Sequence, residues 1–516
     1  MGKRKQEPPW RPKSTDYQRV LLDEQNPWRT TGEVPTELAP AVERPLARYL
    51  GEHLRDQRLK RFQVILGPRR VGKSTSMYQT VRRMLKAGVP RTRLWWLRMD
   101  HPLLMELPLG ELAKMAIRST GATPEKPVFL FLDELTYADK WDLWLKTFFD
   151  DAWPVQVAGT SSSTAALRDR RLESGVGRWE EQYLAPYMFG EYLELLGIGH
   201  ARLEARESLW QTLTEAISSH TDAGLLGEPR RRFLLLGGFP ELLISTKDRP
   251  PDDISALLQS QRILRTDAVE RAVYKDIPQA FKIDNPLALE RVLYTLAGQV
   301  SGIISPQSIC ANLGGLSQAT FERYLGYLER AFLVFTVPNY SGSEKSVQKR
   351  GRRLYFVDGA VRNAALQRGI APLTDAPEMG LLMENLVAGH LYALSQQSQV
   401  RLYHWRDGND EVDLVYDHPE QPIAFEVSSS HAHKRDGIRA FMERFPRFAG
   451  RCFIVHPNGA AIAPEDSSDG IGALPVDLLL LASGAHAERE LEKRMRGEGH
   501  DSPGLPLWGN FSDSAG

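Results

Sequence analysis

The sequence predicts an α/β fold: an αβα portion near the start, a long helical stretch, and a second α/β portion near the end. Three observations carry this expectation. The apolar run Val64-Ile65-Leu66 feeds a glycine-flanked turn, and a helical pattern from Ser76 to Leu85 follows. A second run, Val128 to Leu132, is apolar without alternation, as in a strand buried on both faces of a parallel sheet. Three β-rich runs, Tyr403–Arg406, Glu411–Tyr416 and Ile423–Val427, sit among helical patterns further along.

Bulk composition sets outer limits. The 516 residues are 42% hydrophobic and 25% charged, an ordinary globular balance with room for about three domains. Lys+Arg (65) equals Asp+Glu (65), so net charge gives no argument for a polyanion partner and local clusters must supply one. Two cysteines, Cys310 and Cys452, exclude a disulfide scaffold or a zinc finger and fit a reducing cytoplasm. No apolar run approaches the roughly 20 residues of a membrane span, so no membrane partner is expected.

Taken in order, residues 1–45 read as a basic, proline-rich tail. Met1-Gly2-Lys3-Arg4-Lys5 runs into Glu7-Pro8-Pro9 rather than into the apolar segment of a signal peptide. Residues 46–186 carry the first α/β domain. Within it Gly67-Pro68-Arg69-Arg70-Val71-Gly72-Lys73-Ser74-Thr75 has the P-loop spacing in its required context of strand, turn and helix. Gly67 and Gly72 let the backbone wrap a polyphosphate, and the following helix start offers N–H groups and a positive dipole end. Lys73 is placed for the β- and γ-phosphates and Ser74 for Mg²⁺. These residues, Thr75 included, predict a site for ATP and Mg²⁺.

The apolar run Val128–Leu132 ends in Asp133-Glu134, and a strand end in an open α/β sheet faces the ligand crevice. Asp133 is expected to hold Mg²⁺ through its water shell, and Glu134 to polarise attacking water. A third strand, Val155–Gly159, ends in Thr160-Ser161-Ser162-Ser163, where Thr160 or Ser161 would sense the γ-phosphate; a plain turn of small residues is the alternative. P-loop, acidic strand and polar strand end, in that order, resemble the AAA-type ATPases. That resemblance implies a homo-oligomer in which a neighbour supplies an arginine. Arg178 is the candidate finger; Arg168, Arg170 and Arg171 are alternatives, or all are a solvated basic face.

Residues 187–284 are helical in pattern, broken at Gly237-Gly238-Phe239-Pro240-Glu241, and suit a helical lid. Residues 285–357 follow a winged-helix plan. Leu289, Val292, Leu293, Leu296 and Val300 repeat at helical spacing. Ser305-Pro306 and Ser317 are helix starts, and two β-rich runs, Leu333–Val337 and Leu354–Val357, make a hairpin. Its loop holds Lys345, Lys349, Arg350, Arg352 and Arg353, which reads either as a phosphate-contacting wing tip or as a solvated loop. DNA and a protein therefore both remain as partners.

Residues 358–480 place Glu384 on a helix and Asp413 and Glu426 on adjacent strands, the arrangement of a PD-(D/E)XK-type nuclease core able to gather Mg²⁺. The expected lysine after Glu426-Val427 is Ser428, which supplies no positive charge, and Lys434 stands further along. His431 and His433 nearby read as loop histidines. Residues 481–516 read as a tail.

Together these stretches resemble a bacterial and archaeal family of AAA-type ATPases with a C-terminal nuclease-like domain of unknown function. The resemblance rests on GPRRVGKST, FLFLDEL, SGVGRWEEQYLAPYMFGEYL, GGFPE, LYFVDGAVRNAAL, ENLV, EVDLV and AFEVS. It implies ATP binding and hydrolysis. The sequence thus predicts a P-loop αβα ATPase core with helical lid, winged-helix domain and nuclease-like α/β domain, acting on or near DNA. A slow ATP-binding switch that docks proteins and an ATP-regulated nuclease are the alternatives.

Overall fold

A computed structural model of the protein describes residues 19–56, 61–161, 177–219, 226–250, 253–281, 283, 285–342, 351–428 and 435–497. Backbone contacts divide the chain into two units. Of the described residues, the first holds 19–66, 73–161 and 177–182; the second holds Gly67–Gly72 and those from Tyr183 onward.

The first unit is built on a five-stranded sheet in the order β2-β3-β4-β1-β5. The strands are β1 (Phe62–Leu66), β2 (Leu94–Arg98), β3 (Val128–Asp133), β4 (Val155–Ser161) and β5 (Trp179–Tyr183). Pairs β2–β3, β3–β4 and β4–β1 are parallel. All five residues of β1 and the first five of β3 are buried, as their unbroken apolar character requires. The strand read as Val155–Gly159 continues through Thr160 and Ser161, which pair with Ile65 and Leu66. Because β4 lies between β1 and β3, its polar end falls between the end of β1 and the acidic pair.

The N-terminal segment is more ordered than a tail from residue 19 onward, with short helical turns at Arg19–Glu24 and Trp28–Thr31. Asn26 explains why it packs. Its amide receives Trp96 N–H (2.6 Å) and donates to Trp96 C=O (3.0 Å), and the Trp28 indole donates to Leu94 C=O (3.2 Å). These bonds satisfy backbone groups that edge strand β2 would otherwise leave unpaired.

The second unit opens with helices Phe189–Leu196, Leu209–Ser219, Gly227–Leu236, Pro240–Ser245 and Ile254–Leu264. The Gly237-Gly238 break falls between two of them, where Asp358 receives Gly238 N–H at 2.7 Å. Helices Pro286–Ala297, Pro306–Asn312 and Gln318–Arg330 follow, the last two capped by Ser305 and Ser317. An antiparallel hairpin of β6 (Val334–Pro338) and β7 (Arg352–Phe356) comes next. A second sheet has the order β12-β11-β10-β9-β8. Its strands are β8 (Arg401–Asp407), β9 (Asp410–Asp417), β10 (Ile423–Val427), β11 (Cys452–His456) and β12 (Ile471–Pro475). Strands β8 to β10 run antiparallel and β10 to β12 parallel. The boundary read at residue 480 falls inside the helix Val476–Arg496, whose Leu478–Leu481 run is buried. A contiguous apolar face this large cannot remain a solvated tail.

Candidate nucleotide site and C-terminal carboxylate cluster

The P-loop backbone takes the shape that its residue types allow. Gly67 has φ 152°, and a Cβ there would lie 2.2 Å from Leu184 O, so no other residue fits. Gly72 has φ 89°, and Arg70 is a non-glycine residue at φ 64°. Val71 is buried, and the helix Lys73–Lys86 begins immediately after the turn, so its N-terminal N–H groups lie at the loop. Lys73 is buried, and Ser74 and Thr75 stand in the first helical turn. Pro68 supplies the fixed φ of the turn.

Both loop arginines are engaged within the second unit. Arg69 makes a bidentate pair with Asp276, through Nε and Nη2. Arg70 pairs with Glu241 and with Asp267 (2.5 Å). Sequence reading missed these acids, because nothing local marks a partner about 170 to 210 positions away.

At the strand ends three polar groups converge. Ser74 Oγ donates to Asp133 Oδ1 at 2.8 Å, and Thr160 Oγ1 donates to the same oxygen at 2.7 Å. The Glu134 N–H donates to Thr160 Oγ1 at 3.0 Å. Burial pushes the Asp133 carboxyl up, while Thr160, Ser74 and Lys73 pull it back down. Glu134 adopts left-handed geometry (φ 53°, ψ 49°), a costly conformation for a side-chain-bearing residue that turns it away from the strand direction. Ser161 is buried in β4, and Thr160 is the residue bonded to Asp133 and Glu134. Ser74 and Asp133 fit a Mg²⁺ ion: a hydroxyl and a carboxylate converge beside the P-loop, and Mg²⁺ takes oxygen ligands from one or two protein groups plus phosphates.

Arg178 lies elsewhere. Its guanidinium forms a two-point pair with Asp150 at 2.8 and 2.9 Å, and its C=O receives Phe62 N–H. Phe62 starts β1, whereas the P-loop follows its last residue, about 13 Å further along at ~3.3 Å per residue. Arg168, Arg170, Arg171, Ser162 and Ser163 lie outside the described residues.

In the C-terminal sheet, Glu384 on the helix Ala376–Ser398, Asp413 on β9 and Glu426 on β10 come together. Glu426 Oε2 receives Asp413 N–H at 3.3 Å, and Asp413 Oδ2 receives Val427 N–H at 2.8 Å. Between them stands a side chain that sequence reading had placed in the wing tip. Arg353 is 4% exposed, and its Nη1 donates to Asp413 Oδ1 at 2.6 Å and to Glu384 Oε1 at 3.4 Å. Its Nη2 donates to Glu411 Oε2 at 2.9 Å, and Tyr355 OH donates to Glu384 Oε1 at 2.8 Å. Burial, then the Asp413 charge, push the Glu384 carboxyl well up despite Arg353.

The basic wing tip is thereby corrected for two of its five members. Alternate strand positions face opposite ways, so Arg353 turns inward while Arg352 pairs with Glu322 at 2.7 Å. Lys345, Lys349 and Arg350 lie outside the described residues, as do His431, His433 and Lys434. Ser428 is buried, with its N–H on Val455 C=O at 2.8 Å.

Comparison with known proteins finds three family models that match successive segments of the chain. Residues 59–193 match the model of the AAA domain family, and that match contains the P-loop and the strand ends at Asp133 and Thr160. Residues 228–370 and 379–479 match two domains of unknown function, DUF8612 and DUF4143. An uncharacterized protein of Methanocaldococcus jannaschii is 24% identical over 397 residues, 75% of this chain and 79% of that protein. An uncharacterized Haemophilus influenzae protein is 20% identical over 389 residues, 75% of this chain and 87% of the other. Among solved structures, the Walker-type ATPase of Pyrococcus abyssi aligns with TM-score 0.38 and 13% identity, over 62% of this chain and 94% of that one. The Aeropyrum pernix ORC2 protein aligns with TM-score 0.36 and 15% identity, over 65% and 96%. No helix among the described residues is long and apolar enough to cross a membrane.

Proposed function

We propose that the protein is a Mg²⁺-dependent ATPase whose turnover moves its lid and C-terminal domains, and that it assembles as a homo-oligomer. One observation carries this reading: Ser74, Asp133, Thr160 and Glu134 meet at neighbouring strand ends beside the P-loop. In it, the loop amides and Lys73 bind the β- and γ-phosphates, and Ser74 and Asp133 hold Mg²⁺. Bound there, Mg²⁺ neutralises charge on the phosphate oxygens. Thr160 fixes the Asp133 carboxylate and, through the Glu134 N–H, aims the general base at the water. Arg178, remote from its own P-loop, serves a neighbouring subunit's nucleotide. Coupling to the rest of the chain is supported by Arg69 and Arg70. A loop that tightens on phosphate pulls on Asp276, Asp267 and Glu241, which lie on the helical segments beyond Pro240.

A protein partner is favoured over DNA by Arg352 and Arg353, whose charges are spent on Glu322 and the carboxylate cluster. The test of the central reading is a pair of variants. Lys73→Ala should lose nucleotide binding, whereas Glu134→Gln should keep it and stop hydrolysis. Wild-type turnover by Glu134→Gln would remove the acidic strand from the mechanism.

A further inference from the structure

The three carboxylates read as a second Mg²⁺ site do not fit a divalent cation. Among the described residues, no group of three or more His, Cys, Asp or Glu is placed to hold a metal. The geometry shows why. Asp413 has one oxygen on Arg353 Nη1 and the other on Val427 N–H, and Glu384 Oε1 already takes Tyr355 OH and Arg353. A guanidinium occupies the space between them, contributed by β7 some 30 to 60 positions earlier in the chain.

We infer that this cluster is the socket of an internal cation: Arg353 takes the place of a metal ion and clasps the β6–β7 hairpin to the C-terminal sheet. Three features make the clasp persistent. The guanidinium stays charged at every accessible pH, so it cannot leave by losing a proton. It is 4% exposed, and withdrawing it would leave the buried Asp413 carboxylate uncompensated, which is far costlier than never having buried it. Its planar fork meets Asp413 and Glu411 through separate nitrogens, a two-anion grip that the ammonium of lysine cannot copy. The clasp makes the hairpin and the sheet one mechanical piece, so motion of the helices before the hairpin is transmitted into the C-terminal domain instead of being absorbed at a hinge. None of this depends on the ATPase reading.

The test uses the full chain without nucleotide. Mn²⁺ titration followed by electron paramagnetic resonance should show no bound ion attributable to the cluster, so wild type and Asp413→Asn should titrate alike. Binding by the wild type that Asp413→Asn abolishes would overturn the inference. Denaturant unfolding supplies a second readout that a metal site would not give. Arg353→Met should lower the midpoint sharply, and Arg353→Met/Asp413→Asn should regain a substantial part of that loss, since removing the cation's partner relieves a stranded anion. A single variant that fails to fold beside a double variant that folds is the same rescue. A double variant no more stable than Arg353→Met would show that Arg353 acts by packing alone, and would overturn the clasp.

Discussion

Replacing Thr160 with valine removes one oxygen from a buried position without changing its volume, and the structure says what that oxygen does. It donates to Asp133 Oδ1 at 2.7 Å and receives Glu134 N–H at 3.0 Å. A hydrogen bond to a charged carboxylate contributes about 1.5–3 kcal/mol, and an amide left without its partner costs about 1–3 kcal/mol. If about 2.7 kcal/mol of that anchoring is felt in the transition state, where Glu134 must be aimed, kcat falls about 10²-fold. Nucleotide affinity should change little, because the P-loop and Lys73 are untouched. Thr160→Ser keeps the hydroxyl and should stay within a few-fold of wild type. The acid limb offers an independent sign. Burial already raises the Asp133 carboxyl and the Thr160 hydroxyl opposes that rise, so deleting the hydroxyl must move the low-pH limb of kcat/KM toward higher pH. Steady-state ATP hydrolysis over a pH series, with nucleotide binding followed by fluorescence, measures all three. Turnover by Thr160→Val within threefold of wild type and an unmoved acid limb would refute the assignment of Thr160 as the group that orients the acidic pair.

Two further outcomes are expected. Arg178→Ala should cut turnover by on the order of 10³-fold at unchanged ATP affinity, with wild-type specific activity rising with protein concentration; sedimentation as a monomer with ATP and concentration-independent turnover would sink the trans-acting finger. His390, fully buried, is held neutral and pushed down to about 4 by burial: Phe189 N–H donates to its Nε2, leaving Nδ1 to donate to Leu386 C=O. Its folded value lies below its unfolded one, so the unfolded chain takes up the proton first. Stability is therefore intact above about pH 6.5 and falls as pH drops toward 4, by up to about 1.4 kcal/mol per pH unit for this group. Denaturant unfolding at pH 7, 6 and 5 should show that slope reduced in His390→Gln, and equal slopes would exclude it as a contributor.

The P-loop was legible because its chemistry is local. Strand, glycines, lysine and serine occupy fourteen consecutive positions from Phe62 to Thr75, and each is required by backbone geometry or phosphate charge. The acidic strand was legible for the same reason, since burial on both faces writes an unbroken apolar run before Asp133. Helix starts at Ser305 and Ser317 needed only a cap and its neighbours. Tertiary structure alone decided which polar residue of β4 meets Asp133. That choice depends on β4 lying between β1 and β3, and strand order is not a local property. It alone revealed Asn26 as the cover of the β2 edge, 70 positions from Trp96. It also separated Arg352 from Arg353. In sequence the two are neighbouring cations in a basic loop, but the two-residue period of β7 sends one to Glu322 and the other among Asp413, Glu384 and Glu411. The sequence carried charge and spacing, but which charges meet depended on chain crossings that bring side chains of distant elements together.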